Sequence, residues 1–337
     1  MVKIKSLDSE SLKLLLSIND IIQIVENVYK SKACNSTMTW PTIFYEFQKG
    51  KADMDIKSGY IQNENIFGHK TASWFQENEV NGLPTLNGLI TIYNAKNGIP
   101  IGITGAEYIT GIRTGASSAV TIKHLANKTS EDLLIIGSGN QALFQIASAV
   151  TVLPNLKNIR VYSRNIEKTK LLTSNLKKNL KENFNIFIDD IEIINVINLR
   201  ENVESSDVII TITPSKEPLI KKEWIKKGTH ISCVGADMPD KQEIDPQILK
   251  IAKVYVDDLE HCIKSGEIEK AIKKGTITAK NIYGTVGEVI IDNIRGRTSQ
   301  DDITVVDLTG MALLDIGTAY HALKLANQNN IGTTINI

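Results

Sequence analysis

A doubly wound α/β fold, a parallel sheet with helices on both faces joined to a second domain of α+β texture, is what this sequence predicts. Three observations predict it. Beyond about residue 130, short apolar strands alternate with helical segments, the pattern of a parallel sheet buried on both faces. Residues 40–105 differ in texture: TIFYEF, GHKTASWF, LNGLITIYN and PIGITG are β-rich runs separated by turn residues. The length, 337 residues, exceeds what one hydrophobic core of ordinary size serves.

The elements follow in order. Residues 10–33 read as one or two helices, because Leu12, Leu15, Leu16, Ile21, Ile22, Val25 and Val28 recur at helical spacing. The β-rich stretch comes next, with AKNG (95–98) as a turn between two strands. Residues 108–127 return to helix. DLLIIG (132–137) is then a strand, QALFQIASAVTVL a helix, NIRVYS (158–163) a strand and 165–182 a helix. Further strands are expected near FIDDIEIIN, at SDVIITIT (206–213), at HISCVGA (230–236) and at KVYVDD (253–258). The segment 311–330 is a long helix with an apolar stripe that follows the α/β unit and is placed to return to the first domain. The division expected is residues 1–117 with 311–337, and 118–310.

Composition narrows the function classes. Lys plus Arg and Asp plus Glu both number 38, so no net charge draws the chain to nucleic acid or to an anionic membrane. Cys34, Cys233 and Cys262 are odd in number and far apart. They form neither a disulfide framework nor a metal pair, which fits a reducing, cytoplasmic setting. The N-terminal apolar patch is short and broken by charge, unlike a signal peptide or a membrane span. The five histidines show no HxxxH or HExxH spacing, so no metal site is expected.

LLIIGSGNQA places Gly137, Gly139 and Ala142 in a G-x-G-x-x-G/A pattern directly after a strand and at the start of a helix. The first glycine permits the tight turn and the second lets the backbone approach a pyrophosphate. The small third residue lets helix and strand pack closely, and the helix N-terminus receives the negative charge. Such a string alone is weak, but this strand–turn–helix context makes it a Rossmann dinucleotide fingerprint. At the end of the next strand, where NAD enzymes commonly carry an acid for the ribose 2′-hydroxyl, the chain reads Val161-Tyr162-Ser163-Arg164-Asn165. A hydroxyl followed by a guanidinium suits a 2′-phosphate, so NADP(H) is favoured and NAD(H) remains possible.

With this turn, the stretch 82–116 (GLPT…IRTGA), the segment VGADMPDKQEI (234–244) and the late VDLTG, the sequence resembles the ornithine cyclodeaminase/mu-crystallin family over nearly its whole length. The resemblance implies a substrate-binding and dimerisation domain completed by the C-terminal helix, a Rossmann domain, and a homodimer. It also implies hydride transfer between nicotinamide and the α-carbon of a small amino or imino acid. The reaction class expected is amino acid dehydrogenase or cyclic ketimine reductase. The rival is a cyclodeaminase, which converts ornithine to proline plus ammonia without net consumption of cofactor. A third reading is a protein that only binds NADPH or a ligand.

By the same resemblance, Asp237 matches the catalytic aspartate, standing just past the strand HISCVGA, where α/β sheets bind ligands. Lys70 matches the lysine that contacts substrate and relays a proton, and Arg113 the arginine that grips the α-carboxylate. Asn140, Gln141, Thr213 and Thr309 join Gly137, Gly139, Ala142, Ser163 and Arg164 in the cofactor-binding set. The chain also departs from the family. The second basic residue of the carboxylate clamp is Thr42 here, in Trp40-Pro41-Thr42-Ile43. Where relatives have an apolar turn, it reads Asp55-Ile56-Lys57-Ser58-Gly59, so that Lys57 restores the missing charge and Asp55 lies near an acidic position of the cyclodeaminase. A serine of relatives near the nicotinamide is Leu308, followed by Thr309. These departures speak against assuming ornithine.

Overall fold

The structure, a computed structural model, describes residues 1–337. In chain order the first segment forms β1 (Lys3–Leu7), α1 (Ser9–Leu15), α2 (Ile18–Ala33), β2 (Thr37–Thr39), β3 (Ile43–Gln48), β4 (Ala52–Ile61), β5 (Ile66–Phe75), β6 (Leu86–Asn94), β7 (Pro100–Gly105) and α3 (Ala106–Leu125). The alternating region forms β8 (Asp132–Ile136), α4 (Gln141–Val152), β9 (Asn158–Tyr162), α5 (Ile166–Phe184), β10 (Glu192–Asn195), α6 (Leu199–Ser205), β11 (Val208–Thr211) and β12 (His230–Cys233). It continues through α7 (Ile248–Ile251), β13 (Lys253–Val256), α8 (Leu259–Ser265), α9 (Glu269–Lys273), β14 (Ile282–Thr285), α10 (Val286–Ile290) and β15 (Thr304–Asp307). Last come α11 (Ala312–Asn329) and β16 (Thr333–Asn336). The chain divides into two compact units, Met1–Arg113 with Met311–Ile337, and Thr114–Gly310. No helix is long and apolar enough to cross a membrane.

The first unit is a mixed sheet in the order β16-β1-β7-β6-β5-β4-β2, with β3 also paired to β4. Its helices are fixed by ordinary local rules. Ser17 caps α2 by accepting from the Asp20 N–H, and Ile18, Ile21, Ile22, Val25 and Val28 bury one face of it. The returning helix α11 packs on α2 and on β4, β5 and β6. Three glycines make its seat. An added Cβ would stand 2.9 Å from Leu313 at Gly59, 3.5 Å from Ile316 at Gly68 and 2.5 Å from Leu323 at Gly102. Without side chains there, helix and sheet approach closely.

Asp55–Gly59 belongs to the ten-residue strand β4, absent from the series of β-rich runs above and paired with β5 from Ala52↔Phe75 to Ile61↔Ile66. The strand alternates after all, with Asp53, Asp55 and Lys57 on one face and Met54 and Ile56 on the other. Its polar face is the one on which β5 carries Lys70, since Lys57 lies directly opposite Lys70.

The second unit is a parallel sheet ordered β10-β9-β8-β11-β12-β15-β13-β14. Leu133–Ile136, Ile209, Ile210, Ile231, Val254, Val256, Val305 and Val306 are fully buried in it. Two strands beyond the expected series complete it: β15, from the VDLTG segment, lies between β12 and β13, and β14 forms the edge. The chain leaves β8 for β9 on one side and later returns to place β11 on the other. This reversal beside β8 is where open α/β sheets bind ligands, beyond the carboxyl ends of the strands.

Candidate active site

The glycine loop follows β8 at that reversal. Gly137 has φ +128°, and a Cβ there would lie 2.8 Å from the Ile212 carbonyl oxygen, so only glycine makes the turn. Gly139 is exposed, with no heavy atom within 4 Å of where its Cβ would be. Asn140 stands at the N-cap of α4 and makes no side-chain cap, while Ala142 is fully buried against the sheet. The buried Gln141 Oε1 has no partner. An uncapped helix N-terminus facing open space over a glycine fits a pyrophosphate. These residues therefore suit a dinucleotide.

The loop after β9 is tied to this turn. Ser138 Oγ donates to Ser163 Oγ at 2.8 Å, and Ser163 in turn bonds the Asn165 carbonyl and Thr169. Arg164 beside it is exposed and has no ion-pair partner. Thr213, just past β11, is held through both its N–H and its hydroxyl by Glu243 Oε1, at 2.6 and 2.7 Å. The other oxygen of Glu243 accepts from Thr211 Oγ1 and from the Gly235 N–H. Burial pushes the Glu243 carboxyl upward in pKa, against these hydrogen bonds. Thr309 donates to Asp257 Oδ1 at 3.0 Å and lies 2.9 Å from His261 Nδ1. Asp257 also accepts from the Gly310 N–H. Leu308, just before Thr309, is buried.

Asp237 stands on the loop that follows β12. It is exposed and pairs with Lys241 at 2.5 Å. The carboxylate is the more exposed member of the pair, with Lys241 mostly covered.

The first unit brings Lys70 and Arg113 together around a residue that sequence reasoning missed. Asp315, on the first turn of α11, is buried, and its Oδ1 accepts from Lys70 Nζ at 3.1 Å and Arg113 Nε at 3.2 Å. Thr110 Oγ1 approaches the same oxygen at 3.4 Å. Burial alone would raise the Asp315 carboxyl, but Arg113 and Lys70 outweigh it and hold the group below the usual carboxylate range. Burial lowers the Lys70 pKa; Asp315 opposes that shift, while Arg113 and Lys57 add to it. Lys57, opposite Lys70 on β4, is half-buried and without an ion-pair partner. Asp55 shares that face and keeps one buried carboxyl oxygen unpartnered. Thr42 is exposed in the loop before β3 and takes no part in this network, although the Ile43↔Ile56 register carries it toward Lys57. A signal for Asp315 was present: MALLDIGTA sets one acid inside an apolar stripe, and a buried carboxylate demands cations.

Comparison with known proteins agrees with this architecture. The chain is 32% identical over 332 residues to the alanine dehydrogenase of Archaeoglobus fulgidus, covering 98% of this chain and 97% of that one. A solved archaeal alanine dehydrogenase dimer with bound NAD superposes with a TM-score of 0.90 at 31% identity, covering 100% of both chains. The Δ1-pyrroline-2-carboxylate reductase of Thermococcus litoralis, solved with NADH and L-proline, superposes with a TM-score of 0.90 at 29% identity, covering 99% of this chain and 100% of that one. A profile of one family matches residues 5–327, and the chain therefore belongs to the ornithine cyclodeaminase/mu-crystallin family.

Proposed function

We propose that the protein is an NAD(P)-dependent oxidoreductase acting at the CH–N bond of a small amino or imino acid. The observation that carries this reading is a cluster of cations in the first unit, with Lys70 and Arg113 on the buried Asp315 and the half-buried Lys57 opposite Lys70. Lys57, Lys70 and Arg113 act on one buried carboxylate, Asp315. A guanidinium and two ammonium groups presented together suit an anion, and a substrate α-carboxylate supplies one. Gly137, Gly139, Asn140, Gln141 and Ala142 would hold the pyrophosphate, and Thr213 and Thr309 would contact the rest of the dinucleotide. The nicotinamide supplies hydride transfer to or from the substrate α-carbon. Arg113 and Lys57 orient the carboxylate, Lys70 carries a proton, and Asp237 accepts a proton from an ammonium or from water. We place the enzyme in the cytoplasm, on its three free cysteines. We infer a homodimer, because β3 exposes Ile43, Phe44, Tyr45 and Phe47 while β6 exposes Leu86 and Leu89. Apolar area on that scale marks an interface.

The test is a screen of NADPH and NADH oxidation against pyruvate with ammonia, pyrroline-2-carboxylate and piperideine-2-carboxylate. Consumption of at least one substrate is expected, and none with any of them sinks the reading. Incubation with ornithine and catalytic NAD separates the rival: proline plus ammonia without net reduction identifies a cyclodeaminase.

Two finer expectations arise from the site. Arg164, exposed and unpaired beside Ser163, favours the 2′-phosphate of NADP(H). Loss of a charged hydrogen bond costs about 1.5–3 kcal/mol, so Arg164→Ala is expected to weaken NADPH by roughly 10- to 150-fold and NADH little. Equal weakening of both, in a fluorescence titration, removes Arg164 from nucleotide choice. Lys57→Ala is expected to raise the KM for the amino or imino acid at least tenfold with dinucleotide affinity unchanged, and Thr42→Arg in that background to recover part of the loss. An unchanged KM leaves the carboxylate to Arg113 and Lys70.

A further inference from the structure

We propose that Asp315 is a positioning residue of this site, the fixed counter-ion that sets the placement and protonation of Lys70 and the orientation of Arg113 for substrate. This rests on the reading of Lys70 and Arg113 as substrate residues. Three donors converge on the single oxygen Oδ1, from β5 (Lys70) and α3 (Thr110 and Arg113), whereas Oδ2 is buried and has no partner. An acceptor so placed constrains two long side chains that would otherwise sample many rotamers, and ordering them beforehand lowers the cost of substrate binding. The carboxylate is itself fixed. Asp315 lies on the first turn of α11, whose Leu313 and Ile316 sit over Gly59 and Gly68.

The same geometry defines the electrostatics. The charged groups on the elements packed against Lys70 are Asp315 from α11, Arg113 from α3, and Lys57 and Asp55 from β4, and of these Asp315, Arg113 and Lys57 shift its pKa. Asp315 is the group that chiefly favours the ammonium over the neutral amine; burial and both cations work against it. Removing the Asp315 charge must therefore lower the Lys70 pKa, and the pH at which Lys70 changes protonation state moves down with it.

Asp315→Asn keeps the shape and removes the charge. The limb of the kcat/KM–pH profile that disappears in Lys70→Met should shift to lower pH, and the KM for the amino or imino acid should rise roughly tenfold or more. NADPH affinity should change less than twofold. Asp315→Glu, which restores the charge on a longer arm, should return the limb toward its wild-type position. In a Lys70→Met background, Asp315→Asn should cost much less than in the wild type, because residues that act through one another are not additive. A folded Asp315→Asn enzyme with an unmoved limb overturns the proposal, as do fully additive effects. If both Asp315→Asn and Asp315→Glu give only insoluble protein, Asp315 is a structural ion-pair partner and the proposal also fails. Wild-type activity in Lys70→Met would instead overturn the assignment of Lys70 itself.

Discussion

Asp237→Asn is expected to lower kcat by roughly 100- to 10,000-fold, the range of general acid–base catalysis, with fold and dinucleotide affinity preserved. Asparagine has the size of aspartate and much of its hydrogen bonding, but neither its charge nor its basicity. The side chain is exposed on the loop after β12, where its one ion pair, with Lys241, contributes little to stability. Asp237 is also separated in sequence from the dinucleotide turn at Gly137–Ala142. In the proposed mechanism the carboxylate has two tasks that asparagine cannot perform: accepting a proton, and stabilising the positive charge that develops on the substrate nitrogen. Stabilising charge in the transition state is usually the largest catalytic contribution. The competing explanation is that Asp237 only shapes the turn through Met238 and Asp240. Asparagine is as good a turn former, so that explanation predicts a silent substitution. kcat, KM and NADPH affinity of the purified variant distinguish the two, and near-wild-type turnover removes Asp237 from the mechanism.

Two alanine substitutions in the glycine loop are expected to fail in different ways. At Gly137 the φ of +128° is one that L-residues rarely adopt, and the new Cβ meets Ile212 at 2.8 Å. The strain alone costs about 1–3 kcal/mol, and the contact adds to it, so Gly137→Ala should lower Tm and dinucleotide affinity together. At Gly139 nothing lies within 4 Å of the new Cβ. Gly139→Ala should keep the wild-type Tm while NADPH affinity falls by at least tenfold, because the methyl group occupies the space needed by the pyrophosphate. Thermal melts with and without NADPH measure both. A Gly139→Ala protein that binds NADPH normally would show that the phosphates do not approach this turn.

The second unit was the more legible part of the chain. Strands such as Leu133–Ile136 are apolar on both faces and alternate with helices, and that change of period is local information. The glycine turn after β8 was legible for the same reason, since all its residues lie within Gly137–Ala142. β4 was harder, because its inward face carries Asp53, Asp55 and Lys57 where a strand pattern leads one to expect apolar residues. Asp315 was harder still. Its contact with Lys70 joins residues 245 apart in sequence, and no periodicity reports a pairing over that distance. Lys70 and Arg113 themselves read as surface charges until a buried partner is found for them.

A ribosome delivers all of residues 114–310 between Arg113 and the helix that covers Arg113's own unit. At about 5–20 residues per second, that interval lasts roughly 10–40 s. Throughout it β4, β5 and β6 lie without α11, with the glycine seat open and Lys70 lacking its carboxylate. The second unit is continuous in sequence and can complete its sheet during the same interval. Nascent chains therefore pass through a state with one finished unit and one sheet whose isoleucines Ile61, Ile66, Ile90 and Ile92, buried in the complete fold, are uncovered and open to other chains. That window for misassembly closes only when residues 312–329 have left the ribosome.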